Sequence, residues 1–123
     1  MLRIAALILL ISGTAAHAQI VRKELKRADV AGTNMEAIEV YLEVPPGESL
    51  PRHTHHGEEI VYVMQGATLI LPDGSQRELP TGAGVINQRG VPHAGFKVGG
   101  DKTLKLINVF VVDKGKPLPE VVQ

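Results

Sequence analysis

From residue 19 onward, apolar residues come in short runs cut by Gly, Pro, Asp and Asn, the texture of an all-β sandwich or barrel. The clearest alternation runs from Glu36 to Val44. Ile38, Val40, Leu42 and Val44 take one face and Ala37, Glu39, Tyr41 and Glu43 the other, which predicts a strand with one face in a core. Pro45-Pro46-Gly47 ends it. Glu59 to Gln65 reads as the next strand, and Ile60-Val61-Tyr62-Val63-Met64 is apolar throughout, which predicts burial on both faces. Thr68 to Leu71 and Gln76 to Leu79 flank Pro72-Asp73-Gly74-Ser75, turn chemistry suited to a hairpin tip. Val85-Ile86, Ala94 to Val98 and Lys102 to Val112 supply further strands, and Gln19 to Arg27 is a strand able to cover a neighbouring subunit's sheet edge. After the opening segment there is no helical stripe, repeat or linker. Pro117 and Pro119 mark a tail expected to run along the surface or onto a neighbouring subunit.

The opening segment has a different pattern. One early cation, Arg3, precedes the apolar run Ile4 to Ile11; Ser12, Gly13 and Thr14 break the run, and Ala16-His17-Ala18 offers a small-x-small cleavage site. That is the layout of a secretory signal peptide over residues 1–18, leaving a single domain of residues 19–123. The run is far short of the roughly 20 apolar residues that span a bilayer. A lone Arg points to the general secretory route over a twin-arginine signal. A periplasmic or secreted product without a stable membrane anchor is expected.

Losing Arg3 leaves 12 basic against 13 acidic residues, a balance with no electrostatic footprint for nucleic acid. Four aromatic rings (Tyr41, Tyr62, Phe96, Phe110) are too few for a base-stacking platform. The absence of cysteine removes disulfides, thiolate metal sites and a cysteine nucleophile. Packing, and a metal if one binds, must stabilise this small domain.

Of five histidines, His17 leaves with the signal. His53 and His55 are two apart, so on an extended segment both imidazoles point the same way. Glu59 follows His55 by four residues, across a bend marked by Gly57. His93 comes much later, after the loop Gln88-Arg89-Gly90-Val91-Pro92, and a barrel can return that strand beside the first pair. A lone histidine is more often a solvated surface residue than a ligand. Brought together, three neutral imidazoles and one carboxylate suit Fe, Mn, Ni, Co, Cu or Zn better than Ca.

The spacing shifts that balance. Gly47, five residues, His53, one residue, His55, three residues, Glu59, six residues and Gly66 match the first signature motif of the cupin family at every defined position. A second cupin motif fits less closely from Gly82 through Gly90 to His93, with Gln88 where proline is usual and Lys97 where asparagine is usual. The chain thus resembles small single-domain cupins over nearly all of residues 19–123. The resemblance implies a double-stranded β-helix, a jelly-roll barrel with a metal inside the cup. It also implies that His53, His55, Glu59 and His93 ligate one divalent transition metal (Zn, Mn, Cu, Fe or Ni), leaving positions for water or substrate.

Around that site, Val61 and Val63 are expected to floor an apolar pocket, with Gly84 and Gly95 allowing close backbone approach. His56 and Glu58 alternate away from the ligand face. Lys97 shares the face of His93 on a regular strand, whereas a twist at Gly95 sends it to solvent, the favoured reading. Tyr41 and Tyr62 read as packing residues. The resemblance implies a metalloenzyme of dioxygenase, lyase, isomerase or decarboxylase type acting on a small organic molecule. The alternative is a non-catalytic periplasmic module that binds or senses a metal or small ligand. Fold and ligand set alone do not choose between them. Exposed sheet edges lead to the expectation of a homodimer.

Overall fold

The computed structural model describes residues 17–123, so nearly all of the expected signal segment lies outside the described residues. The chain forms strands β1 (Val21–Asp29), β2 (Met35–Val44), β3 (Ser49–Leu50), β4 (His53–Thr54), β5 (Gly57–Gln65) and β6 (Ala67–Ile70). They continue with β7 (Gln76–Leu79), β8 (Gly84–Asn87), β9 (Phe96–Val98), β10 (Leu104–Asp113) and β11 (Glu120–Val121), and no helix occurs among the described residues. One sheet has the order β1-β2-β10-β5-β8, a second β3-β9-β6-β7, and β11 pairs with β4. All pairings are antiparallel. The expected all-β jelly roll is the fold.

Period-two alternation builds the core. Ile38, Val40, Leu42 and Val44 of β2 are all buried, as their spacing predicts. Register aligns them with the inward residues of β10 and β5 in rungs: Ile38–Phe110–Glu59, Val40–Asn108–Val61 and Leu42–Leu106–Val63. The hairpin at Pro72–Ser75 closes as its residues dictate. Gly74 N–H donates to the Leu71 carbonyl at 2.9 Å, and the Asp73 carboxylate accepts from Ser75 N–H at 2.9 Å.

Two expectations need correction. β5 is buried on one face only: Ile60, Tyr62 and Met64 are 45%, 54% and 46% exposed, because no other layer among the described residues covers the outer side of the five-stranded sheet. Tyr62 is therefore not packed away. Gly84 has nothing within 4 Å of where a Cβ would sit, so no close approach requires it. The tail runs along the surface, as expected. It folds back so that Glu120 and Val121 pair with Thr54 and His53.

Candidate metal centre and its cavity

The two histidine segments meet directly. His53 and His93 form an antiparallel bridge in which each backbone N–H donates to the other's carbonyl at 3.0 Å. Their rings come to 4.5 Å between centroids, and His55 lies 4.8 and 4.9 Å from the two. Glu59 enters from the inward face of β5, and one potential ligand atom from each of the four residues lies within 4.8 Å of the others. The residues chosen from spacing are the ones the fold brings together. His55 and Glu59 are buried at 4% and 8% exposure.

Each ring is held from behind by the backbone. Nδ1 of His53, His55 and His93 lies 2.8, 2.5 and 2.9 Å from the carbonyls of Pro51, Leu118 and Val91. A carbonyl only accepts, so each Nδ1 carries the hydrogen and each Nε2 presents a lone pair to the centre. This arrangement, with the far nitrogen fixed by an outer partner, typifies metal-ligating histidine. Glu59 Oε2 sits 3.3 Å from His55 Nε2 and 2.9 Å from His93 Nε2, yet neither approach has hydrogen-bond geometry, and both buried nitrogens lack a partner. Lone pairs facing a carboxylate at that range repel unless a cation or a proton lies between them. The donor set fits a borderline divalent metal.

Asn87 completes the support. Its amide donates to Glu59 Oε2 at 2.9 Å from the paired position on β8. Burial works against ionising Glu59, but His55 and His93, when a proton sits on Nε2, together with Asn87 outweigh it and bring the carboxyl down to about 2. Sequence reading missed Asn87; the only clue was its inward alternation with Val85.

The pKa shifts set a pH dependence. Burial lowers His53, keeping it neutral, whereas for His93 burial is outweighed by Glu59 and the Val91 carbonyl, which raise it above 6.5. Protons thus compete with a metal first at His93. Zinc affinity measured by competition titration is expected to be level at alkaline pH. It should begin to fall above pH 6.5 and drop about tenfold per unit below it for each histidine protonated. Glu59, already ionised, adds nothing until near pH 2. An affinity unchanged down to pH 5 would contradict this assignment.

The four residues open into a cavity of about 520 Å³. Its wall is largely aliphatic, with Val61, Leu42, Leu69, Val85 and Leu106 joined by Phe96 and Phe110. Val61 lines it as expected, but Val63 lies fully buried behind and is not part of the wall. Lys97 is exposed; Ala94 (φ 60°) and Gly95 (φ 76°) take left-handed backbone between it and His93, which breaks the regular alternation. Neither Lys97, Gln88, Tyr41 nor Tyr62 lines the cavity. Tyr41 instead bonds Glu43 on the outer face. His56 turns away from the ligands and faces Glu120 at 2.9 Å, and Glu58 pairs in register with Val111. The tail contributes Leu118, Pro119 and Val121 to the wall.

Asn108 was also missed. It is 2% exposed, lines the cavity one rung from Glu59, and its Oδ1 has no partner. An unpaired buried polar atom costs about 1–3 kcal/mol. Asn108→Leu, similar in volume, should therefore stabilise the ligand-free protein by about 1 kcal/mol or more in urea unfolding. A loss of stability would show that Asn108 has a structural partner.

Residues 40–110 match the Cupin_2 family, described as the cupin domain. The chain belongs to the cupin family. Among solved structures, this cupin is similar to the polyketide cyclase RemF from Streptomyces resistomycificus, at 30% identity and TM-score 0.61 over 85% of this chain and 71% of that one. It is also similar to KdgF from a Halomonas species, at 25% identity and TM-score 0.53 over 78% and 81%. An uncharacterised double-stranded β-helix protein from Klebsiella pneumoniae aligns over 89% and 90% with TM-score 0.64, and at 17% identity this shows the shared fold alone. No curated protein matches the chain.

Proposed function

We propose that this cupin is an exported metalloenzyme acting on a small, mostly apolar organic molecule, with His53, His55, Glu59 and His93 as ligands of one divalent metal. The observation that carries the reading is the set of three backbone-buttressed imidazoles and one carboxylate at the end of an apolar cavity. A metal there would supply a Lewis acid with positions open to a donor oxygen of the substrate. The chain's own part is to orient Glu59 through Asn87 and to exclude water with aliphatic walls. Similarity at 30% identity to a polyketide cyclase supports an enzyme over a purely structural barrel.

Export follows from the pattern of residues 1–18. A cut after Ala18 leaves Ile20, part of the cavity wall, in the mature chain. An exported chain loads its metal outside the cytoplasm, where Fe(II) oxidises readily and the affinity order favours Cu and Zn, so Zn, Mn or Cu is the proposed ion over Fe or Ni. The proposal includes a homodimer. Ile60 and Ile86 are cross-strand partners and, with Tyr62 and Met64, form an exposed apolar patch on which a second copy would seat. A monomer in sedimentation velocity would remove that part.

One observation favours a binding module as the second reading. Beyond the four proposed ligands, the ionisable side chains lining the cavity are Arg22 and Arg77, neither an ordinary proton-transfer group. Protein recovered from the export compartment would be assayed for first-row metals, then incubated with extract of its native cells and followed by untargeted mass spectrometry. One equivalent of a single metal with a compound consumed and a product formed supports the enzyme. A compound retained unchanged supports the binding module, and a folded protein that neither holds nor takes up metal overturns both metal readings.

A further inference from the structure

Arg22 and Arg77 have no role in the proposed metal site, yet both line its cavity. They come from different sheets: Arg22 pairs with Leu42 on β2, and Arg77 pairs with Leu69 on β6. Both residues are exposed as well as lining the cavity, which places them where it meets solvent. Among the described residues, neither has an ion-pair or hydrogen-bond partner, in contrast to Arg27 and Arg89, each held by carboxylates.

Arg77 is placed by its partner Leu69, which pairs in turn with Val98, five residues past His93, and register with β2, β10 and β5 places Arg22. Glu59 stands on the rung Ile38–Phe110–Glu59, Asn108 on the next rung, and Arg22 on the one after, beside Leu42 and Leu106. Two residues of antiparallel strand advance about 7 Å, so Arg22 is rooted about 14 Å along the strands from the row of Glu59. Asn108, whose Oδ1 has no partner, lies on the rung between them. The rest of the intervening wall is aliphatic.

Charge points the same way. A divalent ion with one carboxylate ligand leaves a single positive charge, and the two guanidinium groups add two more in a largely low-dielectric cavity. Such a cavity selects an anion. Guanidinium is also well matched to carboxylate and similar oxyanions through paired N–H donors.

We propose that the cavity takes an organic anion, an apolar body bearing a carboxylate or comparable oxyanion, whose charged end is held by Arg22 and Arg77 at the pole opposite the metal centre. This rests on the reading of the cavity as a small-molecule site. The test uses two fluorescent probes sharing one skeleton, on the zinc-loaded mature protein: 8-anilinonaphthalene-1-sulfonate and neutral N-phenyl-1-naphthylamine. Two charge-assisted contacts should make the sulfonate bind about tenfold tighter or more. Arg22→Gln combined with Arg77→Gln, both exposed positions, should lower sulfonate affinity about tenfold or more and leave the neutral probe within about twofold. Val85→Trp, filling the cavity from a half-buried wall position, should weaken both. If both probes bind but the double variant leaves the sulfonate unchanged, or Val85→Trp affects neither, the anion site is overturned while the metal centre stands. If neither probe binds the wild type, the small-molecule reading itself falls.

Discussion

His55→Ala is expected to strip the protein of the proposed metal, from about one ion per chain to a trace by plasma mass spectrometry after gel filtration. His55 is the most buried of the four residues, and its ring is fixed on three sides. Its Nδ1 donates to Leu118, Phe110 packs against it with centroids 4.9 Å apart, and Nε2 faces Glu59. Removing even an outer partner of such a ligand typically costs 10–100-fold in metal affinity, so removing the ligand itself should cost more than about a hundredfold. Two controls separate this from unfolding. The far-ultraviolet circular dichroism should keep its β signature, and His56→Ala, one residue away but turned toward Glu120, should keep full metal content. Equal metal loss in both variants would mean that the segment, not the ligand, had been damaged.

The candidate site was legible through the first cupin motif, whose information is local: His53, His55 and Glu59 sit within seven residues, and a two-residue spacing on extended chain gives the two histidines a common direction. His93 was legible through the looser second cupin motif and its loop length, and the His53–His93 bridge shows why that length matters, since it sets the pairing that brings the rings together. What the sequence hid is long-range. Nothing about Leu118 marks its carbonyl as the partner of a histidine 63 residues earlier. That contact exists because β11 returns to β4, and a two-residue strand preceded by two prolines carries almost no pattern. The inward asparagines were hidden for the opposite reason. Asn87 and Asn108 occupy positions that alternation assigns to the interior, where a polar residue looks like an interruption until its neighbours are known. β5 misled in the other direction: apolar residues on both faces predicted two-sided burial, whereas its outer face is an exposed patch of the kind that marks association surfaces.

Gly57→Ala is expected to destabilise the fold by about 3 kcal/mol or more, at the upper end of overpacking effects. Gly57 does more than mark a bend; it opens β5, pressed against β10 opposite Val112. A Cβ there would lie 1.9 Å from the Val111 carbonyl oxygen and 2.6 Å from Val112 Cα, both backbone atoms that no rotamer change can move. Relief requires β5 and β10 to separate at the point where Phe110 pairs with Glu59. The cost should therefore appear in two measurements together. The urea midpoint should fall sharply, and zinc affinity should drop in whatever fraction remains folded, because Glu59 is carried by the displaced strand. Gly84→Ala, with open space around the same atom, should change neither beyond a few tenths of a kcal/mol. A Gly57→Ala protein with wild-type stability would require the two strands to be further apart than their register allows.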